Sequence, residues 1–124
     1  MAFAVSVLRL IDDFPRRPGP DAVARQLAKS ATSVAANYRA ACTARSRQEF
    51  VAKLCIVVAE SEYWLDVVRL AQFLHQTAVA PLRNEAGELR AIFAKSLGTA
   101  RANLRNNRPI NQSTNPPIND QMTK

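Results

Sequence analysis

Glycine, aromatic residues and histidine are all scarce in this chain. Its 124 residues hold three glycines, 6% Phe, Tyr and Trp, and a single histidine, His75. Scarce glycine argues against a fold of strands and tight hairpins, whose turns need left-handed backbone. With 48% hydrophobic residues and abundant Ala, Leu and Val, the balance favours an all-helical protein. Long apolar runs are missing too: the longest, Leu54 to Ala59, falls far short of the roughly 20 residues a membrane-spanning helix needs. The two cysteines, Cys42 and Cys55, are too few for a secreted disulfide scaffold and read as small hydrophobes in a reducing compartment. The opening MAFAVSVL is apolar but lacks a basic n-region and meets Arg9 at once, so no signal peptide and a cytoplasmic location are expected.

Catalytic constellations are equally thin. His75 has no Glu three residues before it, and the chain lacks the paired Glu-x-x-His elements of a di-iron bundle. It shows no Cys/His zinc spacing, no glycine-rich phosphate loop and no nucleophile beside a base. We therefore expect no enzyme activity, no metal and no cofactor.

Positive charge is what the chain has in excess. Seventeen Lys and Arg face ten Asp and Glu, giving +7 and a pI near 10.3. Thirteen of the seventeen are Arg, which makes bidentate phosphate contacts that Lys cannot. The balance suits nucleic acid or another polyanion; the plain alternative is a solvated surface that happens to be basic.

Prolines and one capping signal divide the chain into four helical segments, about 2–13, 20–44, 46–76 and 81–105. In the first, Phe3, Val7, Leu10 and Ile11 keep helical spacing until Phe14-Pro15 ends it. Pro20 and Asp21 suit the first turn of the second, whose stripe holds Val23, Leu27, Ala31 or Ser30, Val34, Tyr38 and Ala41. Ser46-Arg47-Gln48-Glu49 reads as a capping box that opens the third, with Glu49 and Lys53 as an i,i+4 pair. The third carries two apolar stripes, one with Phe50, Leu54, Val57, Ser61, Leu65 and Val68, the other with Ile56, Trp64, Val67, Ala71 and Leu74. So wide an apolar surface belongs to a helix that is central in its fold or buries a second face between subunits. The fourth shows Leu82, Ala86, Leu89, Phe93, Leu97 or Ser96, Ala100 and Leu104, and its short connection predicts antiparallel packing on the third. Residues 1–105 thus read as one bundle, and 106–124, rich in Asn, Pro, Gln and Thr, as a disordered tail.

These residues carry a resemblance. Gln26-Leu27, the string SVAANYRA from Ser33 to Ala40, Ala44-Arg45-Ser46-Arg47, Glu49-Phe50, Lys53-Leu54, Glu60 and Tyr63-Trp64-Leu65 resemble the four-helix-bundle proteins encoded in intervening sequences of bacterial 23S ribosomal RNA genes. The likeness runs over roughly residues 3 to 104, with a clipped first helix and a proline-bearing tail as departures. It implies an up-down antiparallel bundle assembled as a ring-like homopentamer. More distantly, the chain is similar to the accessory proteins of diversity-generating retroelements, basic pentamers that bind nucleic acid and a reverse transcriptase.

Two basic groupings are candidates for RNA or DNA contact: Arg25, Lys29 and Arg39 with Arg45 and Arg47, and Arg90, Arg101 and Arg105 running toward Arg108. Asn37, beside the second helix's apolar stripe, is expected to fix helix register through buried hydrogen bonds. Glu60, one turn from Trp64, is expected to be a carboxylate paired within the bundle or between subunits, with Arg39 as its first partner, and Trp64 to sit in the core or a subunit interface. Glu62, Asp66 and Arg69 read as a solvated charge cluster. The reading is a non-enzymatic oligomeric nucleic-acid-binding accessory; the alternative is a scaffold that docks another protein and has no nucleic-acid role.

Overall fold

The computed structural model describes residues 2–43 and 47–106. Four helices, α1 (Ala2–Asp12), α2 (Pro18–Thr43), α3 (Arg47–Leu70) and α4 (Gln76–Asn106), form a bundle, and no strand occurs among the described residues. Each helix packs on the next, and α1 closes the circuit by packing on α4. The diagonal backbone pairs α1/α3 and α2/α4 do not approach within 8 Å. Among the described residues no helix is long and apolar enough to cross a membrane.

Most of the expected stripes make the core, though Ile56 and Ala71 of the second α3 stripe are exposed. Phe3, Val7 and Leu10 of α1, Val23, Leu27, Ala31 and Val34 of α2, Leu54, Leu65 and Val68 of α3, and Leu82, Ala86 and Phe93 of α4 are buried together. Val58, outside both predicted stripes, is fully buried as well, while Phe50, Val57, Trp64 and Val67 pack half-buried around it. One polar seam crosses this core. Ser61 Oγ donates to Ser30 Oγ at 2.9 Å, and Ser30 Oγ in turn reaches the Leu27 carbonyl at 3.1 Å. Both hydroxyls are buried and neither lacks a partner, so the small side chains bring α2 and α3 close without an orphaned polar group.

Asn37 does not perform the register role expected of it. Its amide donates to the Ser33 carbonyl of its own helix at 2.9 Å, and the cross-helix bond belongs to the Ser30–Ser61 pair. Glu60 is exposed on the outer face of α3, and no ion pair joins it to Arg39 within the bundle. Trp64 is half-buried against the core, with its ring edge-on to Tyr63 at 4.9 Å.

Three helix boundaries move. α2 begins at Pro18 rather than 20, because Arg17 serves as the residue before the helix and accepts the Asp21 amide at 2.9 Å. Both Pro18 and Pro20 then fall in a first turn, where their missing donors would be unpaired in any case. α3 ends at Leu70 rather than 76. Gln72 takes a left-handed φ of 58°, its amide donates to the Arg69 carbonyl and the Phe73 amide to the Val68 carbonyl, both at 3.1 Å. This is the six-residue helix stop that normally holds glycine, and it swings Phe73 onto Phe14 with ring centroids 6.2 Å apart. α4 consequently starts at Gln76, five residues early, with Pro81 inside it on the exposed side. His75 closes its first turn: Nδ1 accepts the Thr77 amide at 3.2 Å. The predicted Glu49–Lys53 pair is present at 3.5 Å. Ser46 of the predicted capping box, Arg45, and the predicted tail from 107 onward lie outside the described residues.

A left-handed position is occupied at a cost by any residue with a Cβ. Gln72→Gly is therefore expected to raise stability by about 0.5–1 kcal/mol. A shift of several degrees in the thermal midpoint follows for a domain of this size. A lowered midpoint would mean that α3 does not stop there in solution.

Candidate nucleic-acid interface

The basic side chains sort by whether an acid sits near them. From residue 22 to 48 the chain contains no Asp or Glu but five basic residues, and from 89 to 119 it again contains none and five. On α2, Arg25, Lys29 and Arg39 are all exposed and fall within an arc of about 80° on the side opposite Leu27 and Val34. They form a ridge about 21 Å long at 1.5 Å per residue. Arg39 shares a shallow hollow with Ala35, Ala36, Tyr38, Cys42 and Thr43, none of them charged.

Arg47 opens α3 at the end of the bundle where α2 and α4 also finish. There it lines an open cavity of ≈ 460 Å³ together with Tyr38, Phe93 and Asn103. Arg105 is exposed at the same end of α4. Arg101 belongs to α4, but its side chain, like the whole of Arg45, lies outside the described residues. Lys95, exposed in the second acid-free stretch, belongs with this set and was not singled out from the sequence. Its signal was the absence of acids around it rather than any cluster of cations.

Arg90 does not belong. Its Nε donates to Glu62 Oε1 at 2.8 Å, and Arg83 Nη1 donates to Glu62 Oε2 at 2.7 Å. Arg83 Nε reaches Asp66 Oδ1 at 2.7 Å, and Asp66 also attracts Arg69. The group expected to be a solvated cluster is thus a seam between α3 and α4, with the Glu62 side chain only 12% exposed. The hydrogen bond to Asp66, above all, holds the Arg83 guanidinium above its ordinary value. Spacing carried the clue. Glu62 and Asp66 are one turn apart on α3, Arg83 and Arg90 two turns apart on α4, and antiparallel packing sets the two pairs face to face.

Gly87 lies between the two arginines. A Cβ there would meet Glu62 Oε2 at 3.3 Å and Arg83 Nη1 at 3.4 Å, whereas one at Gly98 would meet nothing within 4 Å. Among the described residues no three His, Cys, Asp or Glu stand close enough to hold a metal ion.

Glu62→Gln should cost on the order of 1–2 kcal/mol in denaturant unfolding, since it removes charge-assisted bonds to two arginines that are themselves partly exposed. Gly98→Ala should add about 1 kcal/mol through helix propensity alone. Gly87→Ala should fall clearly short of that gain, because its methyl group presses on the ion-pair seam. Equal gains at the two glycines would show the seam to be loose.

Comparison with known proteins gives one result. No curated protein and no solved structure matches the chain. The model of one family, described as 23S rRNA-intervening sequence protein, matches residues 1–95, which takes in α1, α2, α3 and most of α4. The chain belongs to the 23S rRNA-intervening sequence protein family.

Proposed function

We propose that this protein is a non-enzymatic, self-associating helical bundle that binds nucleic acid through phosphate contacts. The observation that carries the reading is the segregation of charge. Arg83 and Arg90 are neutralised by the carboxylates of α3, while Arg25, Lys29 and Arg39 on α2 and Arg47, Lys95 and Arg105 toward the far end stand in acid-free stretches. A linear ridge of exposed cations with no base-reading device fits the sequence-independent phosphate backbone. Self-association is supported by the outer face of α3, where Ile56, Tyr63 and Leu70 remain 60%, 59% and 70% exposed. In the ring-like pentamer that the family resemblance implies, symmetry would gather the ridges of all copies on one face or lumen. The same apolar face favours a second reading, a scaffold that docks another protein and ignores polyanions.

Binding of labelled single-stranded RNA and duplex DNA across a salt series, with the mass measured in solution, separates the two. Affinity should fall on the order of the second to third power of salt concentration if three phosphates are engaged. Replacing Arg25, Lys29 and Arg39 together by Glu should weaken it at least about tenfold while the mass and helix content stay unchanged. Binding that ignores salt, or that survives the triple reversal, removes the phosphate reading. Reversing Arg90 is a poor probe, because it breaks the α3–α4 seam.

A further inference from the structure

The cations of the α2 ridge are unevenly spaced. Arg25 and Lys29 stand one turn apart, about 6 Å along the axis, and Arg39 follows after a gap of about 15 Å. Within that gap the exposed positions on the same side of the helix are Thr32 and Ala36, both small and uncharged. The profile is a low saddle with cations at both ends and, from residue 22 to 48, no acid in the chain.

Such a saddle suits one shape of polyanion. A single strand laid along α2 would bring phosphates to Thr32 and Ala36, where no cation meets them. A duplex presents two rows of phosphates with a groove between them, and a saddle bridges a groove: Arg25 and Lys29 take one row, Arg39 the other. The depth of the groove then decides between duplexes. B-form DNA offers a minor groove about 6 Å wide, too narrow for a helix, and a major groove about 8.5 Å deep, which a helix must enter. α2 is not free to do so, because it packs on α3 and on α1 and presents only its outer arc. The minor groove of A-form RNA is wide and shallow, so a helix can lie across it without entering.

Thr32 adds a chemical preference. Its Oγ1 donates to the Ala28 carbonyl at 2.8 Å and lies 3.2 Å from the Lys29 carbonyl. With its proton committed to its own helix, this oxygen can only accept. A phosphate, itself an acceptor, gains nothing there, whereas a ribose 2′-hydroxyl can donate to it. Deoxyribose has no such group. Thr32 lies about 4.5 Å along the axis from Lys29, between the two sets of cations, where the sugars that line a groove would pass.

We infer that the ligand of the α2 ridge is double-stranded RNA, bound across its minor groove with Arg25 and Lys29 on one strand, Arg39 on the other, and a ribose 2′-hydroxyl donating to Thr32 Oγ1. The inference rests on the phosphate reading above and names its ligand.

Fluorescence anisotropy tests it with the full chain and three probes at one low salt concentration: a mixed-sequence RNA duplex, the DNA duplex of the same sequence, and one RNA strand alone. The RNA duplex should bind at least about tenfold tighter than either of the others. Ala36→Trp raises the saddle from an exposed position without changing charge. It should weaken RNA-duplex binding about tenfold and leave the single strand unaffected, with helix content unaltered by circular dichroism. Thr32→Val keeps the shape and removes the acceptor, so RNA-duplex affinity should fall about fivefold while DNA affinity stays constant. A single strand or DNA duplex that binds as tightly as the RNA duplex overturns the inference while the phosphate reading stands. So does an Ala36→Trp variant that holds the RNA duplex as the wild type does, or a Thr32→Val variant whose preference for RNA over DNA is unchanged. Indifference to all three probes overturns both.

Discussion

The ion-pair seam between α3 and α4 decides at once how the bundle is clamped and where its charge is free. Glu62 receives Arg83 and Arg90, and Asp66 receives Arg83 and Arg69. Two of the ten acidic residues are thereby fixed on one internal flank. Their guanidinium partners are removed from the reckoning of available charge. The protein's excess of cations is then expressed elsewhere, along α2 and around the ends of α3 and α4, where Asp21 and Glu49 are the carboxylates nearest in sequence. The position of the acids, more than the number of arginines, shapes the basic surface.

α3 is held differently on its two sides. Toward α2 it offers serine and other small side chains, and the Ser30–Ser61 bond satisfies both hydroxyls inside an otherwise apolar contact. Toward α4 it offers carboxylates at the rim of the core. Removing one member of a hydrogen-bonded pair strands the other, whereas replacing both by groups of similar shape can be nearly neutral. The serine seam therefore fixes the approach of α2 and α3 at little net energy, while the ionic seam discriminates against a slipped register, because a shift of one turn that set Arg90 beside Asp66 would leave the largely buried Glu62 without an arginine.

Much of the fold could be read from periodicity. The stripes of α1 and α2 and the lead residues of α4 appear in the core as expected, since each combines helical spacing with strongly apolar side chains. What could not be read depended on context. The stop after Leu70 has no glycine to announce it, because Gln72 takes the left-handed position while Phe73 anchors the turn on Phe14. Pro81, normally a start signal, lies inside α4 because His75 caps the helix a turn earlier. In the candidate site, exposure of Arg25, Lys29 and Arg39 was legible from their shared stripe on the second helix, and that of Arg47 from its place at the junction with the third. The fate of Arg90 was not, since it required knowing which acid of α3 would face it. Tyr38 shows the same limit: its stripe is correct, but burial needs a fourth helix long enough to cover it.

The order of the helix contacts also bears on how the chain reaches this shape. Three of the four helix contacts, α1 with α2, α2 with α3 and α3 with α4, join neighbours in sequence, and only that between α1 and α4 spans the chain. Hairpins that form between adjacent segments close small loops and collapse quickly, so α2, α3 and α4 can assemble as a frame from local encounters. Docking of α1 is then the one step that needs distant parts of the chain to meet. Phe3 and Val7, both fully buried, then seal that step by taking the largest apolar groups of α1 out of water.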